Sequence, residues 1–262
     1  MNRTLQQVFG VFAKEWKLMI RFRTAIIPKI VRPFMWVITP FLIYSVSFKA
    51  GYKDLGDLNE DNVLAFLAIG IVLYDIAAKM FEAFDMKEEK YWKTLEGMLM
   101  APMSRLTYFI GKSLFVMSFF LVSDLPMLVT VLYISGASLN LLFFLIFAIF
   151  ATWLIWMGVG IVMSGISLFS EGIYTLFLLY GLWIVSIVSG VFFPPDILPD
   201  ILVYIGKIIP LYHAISVARA PLIHASVQLS SVIYLLSFSI VMPILGVYLF
   251  NEMYKRKGIV GY

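Results

Sequence analysis

Residues 63–83 read VLAFLAIGIVLYDIAAKMFEA, and this stretch decides the fold class. A single helix needs about 20 predominantly apolar residues to cross a bilayer, and this run supplies them. The rest of the chain is similar, since 61% of the 262 residues are hydrophobic and 14% are charged. Soluble domains are about half apolar and about a quarter charged. A soluble core cannot bury so much apolar surface, so the sequence predicts a polytopic membrane protein.

Five further stretches share this character, so we predict an all-α protein with six transmembrane helices in one transmembrane domain, residues 1–262. The spans are expected over residues 30–49, 63–83, 107–134 (interrupted by SDLP), 140–168, 173–193 and 229–251. All but four of the 20 lysines and arginines fall at the termini or around the loop after span two. The exceptions are Lys49, Lys53, Lys207 and Arg219. The positive-inside rule therefore predicts that both termini are cytoplasmic, in a plasma or inner membrane.

The composition also bears on other kinds of site. The chain has no cysteine and two histidines, which argues against disulfides and against a metal site built from thiolates or imidazoles. The positive charge follows the predicted topology and forms no basic patch with interleaved aromatic residues, so nucleic-acid binding is not expected. We predict no metal and no cofactor in this chain.

The first 24 residues predict an amphipathic helix that lies in the cytoplasmic membrane interface. Arg3, Lys14, Lys17 and Arg21 fall on one face, and an aromatic and aliphatic stripe that includes Trp16 falls on the other. The basic face would contact anionic lipid head groups. Such a helix could anchor span one or transmit force from a cytoplasmic partner.

Residues 84–105 form the longest predicted cytoplasmic loop. Its sequence MKEEKYWKTLEGMLM predicts one short helix that ends before Pro102, with charged residues around an aromatic and aliphatic patch. This is a suitable surface for docking a protein, although a solvated hairpin would look similar. The predicted contact residues are Glu88, Glu89, Tyr91, Trp92, Leu95, Glu96 and Met98.

Two stretches on opposite sides of the predicted membrane resemble one protein family. TLEGMLMAPMSRLTYFIGK (94–112) and SGVFFPPDILPDILVYIGKIIPLYHAISVARA (189–220) are similar to segments of the permease subunits of type 2 ABC exporters. The match departs from the family pattern at Lys93, where glycine is frequent, and at Ile209, where asparagine is common. The resemblance implies two six-helix subunits, either identical or paralogous, around a central path. It also implies two ABC-type ATP-binding subunits docked through the cytoplasmic loop, and export of an amphipathic substrate such as a lipid, glycolipid, polysaccharide or drug.

ATP chemistry is expected to reside in another polypeptide. The chain contains no G-x-x-x-x-G-K-[ST] sequence, which is the loop that cradles nucleotide phosphates. We therefore predict a non-catalytic membrane subunit, with ATP and magnesium bound by the partner.

Polar residues inside the spans are candidates for function, because ionisable groups are costly at membrane depth. Asp75 in span two is expected to pair with Lys79, one helical turn away. Asp124 precedes a predicted kink at Pro126 and could line a translocation path, form a hinge, or cap the restarted helix. In span four, glycines including Gly158 predict close packing of helices.

Residues 193–222 predict short helices that enter the outer leaflet and return. Pro194 and Pro195 would end span five, and Pro210 would separate two helices too short to cross a bilayer. Phe192 and Phe193 are the candidate apolar plug of an outer gate. A simple outer-leaflet anchor is the alternative.

Two other functions fit a polytopic chain. An ion-gradient-driven carrier would often show internal repeats and broken helices near the midplane, and no three-plus-three repeat is evident. An intramembrane enzyme acting on lipids or glycans would need clustered carboxylates, histidines or a nucleophile with its base. His213 and His224 have no acidic partner at helical spacing.

Overall fold

The computed structural model of the protein describes residues 3–51, 58–91, 93, 97, 103–136 and 138–257. Its helices are α1 (Arg3–Arg21), α2 (Arg23–Lys49), α3 (Val63–Phe84), α4 (Lys87–Tyr91), α5 (Arg105–Ser123), α6 (Leu125–Ile134), α7 (Leu139–Phe169), α8 (Glu171–Val188), α9 (Asp200–Gly206), α10 (Pro210–Arg219) and α11 (Leu229–Lys257). The prediction of an all-α polytopic membrane protein is confirmed.

Six of these helices are long and apolar enough to span a membrane: α2, α3, α5, α7, α8 and α11. They coincide with the six predicted spans, with shifted ends. The first span begins at Ile26 rather than at residue 30, and the helix of the fifth ends at Val188 rather than at residue 193. The fifth also contains a π-helical segment, Phe177–Gly181, which the hydropathy pattern does not reveal.

Three serines explain where helices begin after the short connections. Ser104, Ser138 and Ser170 each accept a hydrogen bond from the backbone N–H three residues later, at 3.1, 3.2 and 3.3 Å. A serine at this position satisfies a donor that the first helical turn leaves unpaired. The separation of the fourth and fifth spans at residue 170 therefore has a local cause in the sequence.

Helix α3 is the centre of the bundle. In its most apolar stretch 94% of the residues are buried, against 11% in α2 and α11. Helices α2, α5, α7 and α10 all pack against it. The continuous hydrophobicity of α3 thus reflects burial on every side, whereas α2 and α11 present most of their apolar surface outward, as lipid-facing helices do.

Close packing of α7 against α11 confirms the prediction from the glycines of span four. A methyl group added at Gly158 would overlap the backbone of Met242 and Pro243, and one added at Gly246 would overlap the backbone of Gly158. Small residues let helix backbones approach each other in membranes, where packing rather than hydrophobicity holds helices together.

The amphipathic α1 uses its aromatic stripe for protein packing. The Trp16 ring lies edge-on to Phe115 at 5.5 Å, and its Nε1 donates to Ser118 Oγ at 2.9 Å, so this face of α1 contacts α5. The basic Arg3, Lys14, Lys17 and Arg21 remain exposed. Helix α1 is therefore part of the folded bundle and not only an anchor beside it.

The segment between α8 and α11, which is predicted to lie on the outer side, forms two short helices, α9 and α10, whose axes differ in direction by 95°. Pro210 is the first residue of α10, where a missing N–H costs no helical hydrogen bond. One detail differs from the prediction: α9 ends at Gly206, before the predicted break at Pro210.

Candidate functional site

A buried network of ion pairs joins three helices inside the bundle. Lys79 of α3 is at its centre, with Nζ 2.6 Å from Asp75 Oδ2 and 2.7 Å from Ser123 Oγ, and it also pairs with the carboxylate of Asp124. The side chain of Lys79 is 4% exposed and that of Asp124 is fully buried. An ammonium group in apolar surroundings requires such partners.

Arg32 extends this network to α2. Its Nη2 lies 2.8 Å from Asp75 Oδ1, and its Nη1 lies 2.5 Å from Glu82 Oε1. Lys29 approaches Glu82 at 3.8 Å. The cations and carboxylates balance in number, but the network is only partly buried, since the side chains of Lys29 and Glu82 are 38% and 31% exposed. Separation of α2 or α5 from α3 would leave a charge without its partner.

The predicted pair between Asp75 and Lys79 is present. The interpretation of Asp124 as a helix cap is wrong, because its side chain makes no capping hydrogen bond although it lies at the start of α6. The carboxylate of Asp124 forms an ion pair with Lys79 instead. The span does break at Asp124, and Pro126 lies in the first turn of α6 with an exposed ring. The assignment of these two residues to a path or hinge stays a prediction.

In the loop that is predicted to be cytoplasmic, the side chain of Glu89 of α4 faces the bundle. Its Oε1 lies 2.6 Å from Lys112 Nζ and accepts a hydrogen bond from the Tyr108 hydroxyl at 2.9 Å. Lys14 of α1 lies 3.9 Å from the same oxygen. Glu89 is buried, so it joins α4 to α5 and α1 and does not present a charge to a partner.

The other predicted coupling residues have different locations. Tyr91 is 78% exposed at the end of α4. Glu88 lies in the same helix, whereas Trp92, Leu95, Glu96 and Met98 lie outside the described residues. The predicted single helix over residues 86–100 is wrong, because α4 ends at Tyr91 and Lys93 is in a turn with φ of 54°.

Helix α4 also contacts the N-terminal end of the fifth span, α8. Lys90 Nζ lies 3.0 Å from Glu171 Oε1, at the first residue of α8. One turn later, the hydroxyl of Tyr174 donates to the carbonyl of Phe81 in α3 at 2.5 Å. Movement of α4 would therefore act directly on α5 and α8, and on α3 through Tyr174 of α8.

At the other end of α8, the predicted outer gate is a tight turn. Gly190 has φ of 73°, a left-handed conformation that favours glycine, and it turns the chain away from the helix axis. The N–H groups of Gly190 and Val191 bond back to α8, to the carbonyls of Ile187 and Ser186, both at 3.1 Å. The carbonyls of the turn need other donors, because lipid offers none.

Arg219 supplies most of these donors. Its Nη1 and Nη2 donate to the carbonyls of Gly190 and Val191 at 2.6 and 2.8 Å, and its Nε donates to the carbonyl of Phe66 at 3.0 Å. The guanidinium carbon lies 3.4 Å from the centre of the Phe66 ring. The hydroxyl of Tyr44 donates to the next carbonyl, that of Phe192, at 2.9 Å.

Sequence reasoning does not predict this role, because the positive-inside rule treats Arg219 only as a charge on the outer side. It is 3% exposed and lies in the interior. A signal was available: a lone arginine in an apolar segment that lacks acidic residues, PLYHAISVARA, needs a partner within the protein. That the partners would be backbone carbonyls could not be read from the sequence.

An aromatic cluster lies beside the turn. Trp36 of α2 stacks between Tyr74 of α3 and Trp183 of α8, with ring centroids at 5.3 and 5.2 Å, and Phe192 lies 5.9 Å from Trp36. Of the other predicted gate residues, Phe193 is 40% exposed. Pro194 is buried, Pro195 begins the 3-10 turn, and Pro210 begins α10.

Within the part of the chain that the structure describes, no group of three or more acidic or histidine residues could hold a metal ion. The sites are thus made of ion pairs, aromatic rings and backbone carbonyls. No curated protein matches the chain significantly. The family model of ABC-2 type transporters, however, matches residues 6–223, from α1 to just after α10.

The chain belongs to the ABC-2 type transporters. It is therefore a permease subunit of an ABC transporter, the multi-pass membrane component of a transport system. Members of this family associate with ABC-type ATP-binding subunits. The match covers both segments that carried the resemblance.

Proposed function

We propose that this ABC-2 permease is the membrane subunit of an ATP-driven exporter. Two copies would enclose a path, and two ATP-binding subunits that hold ATP and magnesium would dock at the cytoplasmic face, where both termini lie. The cargo would be an amphipathic molecule, such as a lipid, glycolipid, polysaccharide or drug, leaving the cytoplasm or inner leaflet of a plasma or inner membrane.

The observation that carries this proposal is the polar connection between α4 and two spans, α5 and α8. Tyr91 is exposed at the end of α4, while Glu89 and Lys90 of the same helix bind Lys112 of α5 and Glu171 of α8. A partner that pushes on the exposed side of α4 would thus move both spans. We call α4 with the loop after it the coupling segment (residues 84–105).

Helix α8 can pass such a displacement to the outer side. Its inner end bears Glu171, and its outer end leads directly into the turn that carries Phe192. Its π-helical segment interrupts the regular α-helical hydrogen bonds, and such segments are frequent at functional sites. Closure of the ATP-binding subunits would move the coupling segment, and α8 would then shift the outer turn.

The first experiment concerns the contact with the ATPase. We expect Tyr91→Glu to reduce both copurification of the ATP-binding subunit and ATP-dependent transport, because a charge would replace an aromatic contact. Tyr133→Glu is the matched control, since Tyr133 is 87% exposed but lies at the end of α6, on the predicted outer side. Undiminished copurification and transport in the Tyr91 variant would refute the assignment.

The second experiment separates this proposal from a gradient-driven carrier. Buried carboxylate–lysine clusters such as Asp75, Lys79 and Asp124 also occur in proton-coupled carriers. Amphiphiles that copurify from native membranes would be reconstituted with the permease in liposomes, with and without the ATP-binding subunit. We expect movement that depends on the ATPase and on ATP. Movement by the isolated permease in response to an imposed ion gradient would refute the exporter.

A further inference from the structure

We propose that Arg219 and Tyr44 form a latch that holds the outer turn closed, and that transport requires this latch to open. Arg219 is then a positioning residue, because it acts on the turn and not on the cargo. The inference rests on the proposed function where it concerns transport. The closed position of the turn itself follows from contacts in this chain alone.

The first argument is the pattern of hydrogen bonds along the turn. Three consecutive carbonyls, those of Gly190, Val191 and Phe192, each accept from a side chain of another helix. Arg219 of α10 provides two of the bonds, and Tyr44 of α2 provides the third. The turn is thus fastened from two sides, and its position depends on α2 and α10.

The second argument is the kind of group that Arg219 binds. Arg219 is buried, and no ion pair with a carboxylate is seen for it in the described chain. Its bonds to backbone carbonyls therefore offset the free energy that burial of the charge costs. A carboxylate partner would bind the guanidinium more permanently. Carbonyl partners can be exchanged for water when the outer side opens, so this attachment is suited to repeated release.

The third argument is steric. Gly70 of α3 lies directly against the guanidinium, and a methyl group there would also come within 2.6 Å of the Val191 carbonyl oxygen. On the other side, Gly206 of α9 packs on the backbone of Val188, just before the turn. Two glycines thus leave the space in which the turn and Arg219 fit.

Release of the latch would move the aromatic plug. Phe192, whose carbonyl Tyr44 holds, contacts Trp36 and lies 6.5 Å from Trp183 between ring centroids. Loss of the carbonyl bonds would free the backbone on both sides of this ring. Opening of the turn and unstacking of Phe192 would then be one event.

A cysteine reporter can test the latch, because the natural chain has no cysteine. Ser189 begins the turn, is 1% exposed and differs from cysteine by one atom, so Ser189→Cys introduces a thiol that water reaches only when the turn opens. The permease would be purified with its ATP-binding subunit in nanodiscs. Modification by a charged maleimide would be timed without nucleotide and with ATP plus vanadate.

The variants remove parts of the latch in the reporter background. We expect Tyr44→Phe to raise the nucleotide-free modification rate about fivefold, as the loss of one neutral hydrogen bond would. Arg219→Lys should raise it about tenfold or more, because one ammonium group cannot replace the planar fork that reaches three carbonyls. Tyr234→Phe is the matched control: its hydroxyl donates to the carbonyl of Ile208 at 2.7 Å, away from the turn, and the rate should not change.

The outcomes separate the latch from the transport proposal. Wild-type modification rates for both Tyr44→Phe and Arg219→Lys would overturn the latch, as would an equal rise with Tyr234→Phe, which would indicate general loosening. If the Arg219→Lys variant does not fold, the modification rate of the Tyr44→Phe variant still shows whether the latch holds the turn. If ATP plus vanadate does not change the modification rate of the reporter in the otherwise natural chain, the proposal that ATP opens the outer turn is refuted. The comparison of variants without nucleotide still tests the latch.

Discussion

Replacement of Lys79 by methionine tests whether the buried network holds α3 and α5 together. Methionine fills similar volume but removes the charge between Asp75 and Asp124. Asp75 keeps Arg32 at 2.8 Å, whereas Asp124, which is fully buried, loses its cation. Breaking a buried ion pair on one side costs about 3–5 kcal/mol, because the remaining charge is uncompensated.

The cost is large enough to measure in detergent. A change of 1 kcal/mol moves the melting temperature of a chain of this size by roughly 2–4 °C, so Lys79→Met should melt at least about 6 °C lower. Loss of monodisperse protein on size-exclusion chromatography after heating provides the measurement. Lys255→Met is the control, since Lys255 pairs with Glu252 at 2.8 Å but is 70% exposed, and it should melt as the natural chain does.

A second substitution tests whether the unpaired charge of Asp124 causes the loss of stability. Asp124→Asn in the Lys79→Met background removes the orphaned carboxylate and should restore about half of the lost stability, so the two changes would not be additive. Additive losses would show that the charges do not interact. A Lys79→Met protein as stable as the natural chain would refute the network's structural role.

Three further changes test other contacts. Gly158→Ala should lower the melting temperature by several degrees because its methyl group would overlap α11, whereas Gly10→Ala, which has open space around it, should not. Glu89→Gln should lower the melting temperature because it leaves the buried Lys112 without its carboxylate, and reduced ATPase binding at an unchanged melting temperature would contradict the inward role of Glu89. Trp36→Ala should lower the melting temperature by more than about 6 °C, as truncation of packed aromatic residues costs about 3–5 kcal/mol, and a change below 2 °C would show that the aromatic cluster does not hold α2.

Much of the architecture was predictable because it depends on properties local in sequence. Spans follow from apolar length, and the glycine at position 158 signalled a close helix contact that α11 provides. The pair between Asp75 and Lys79 is one helical turn apart and was equally accessible. The end of α4 could not be predicted, because Lys93 adopts a left-handed turn conformation that few non-glycine residues take.

By itself, the sequence determined the class of the protein, its six spans, the break before Pro126 and the short helices between the last two spans, because hydropathy, proline and serine act within a few residues. Only the tertiary structure decided which charges meet. Lys79 reaches Asp124 45 residues away, and Arg219 reaches Phe66 across 153 residues. A charge inside a membrane must find a partner, but the packing of distant helices determines which partner it finds.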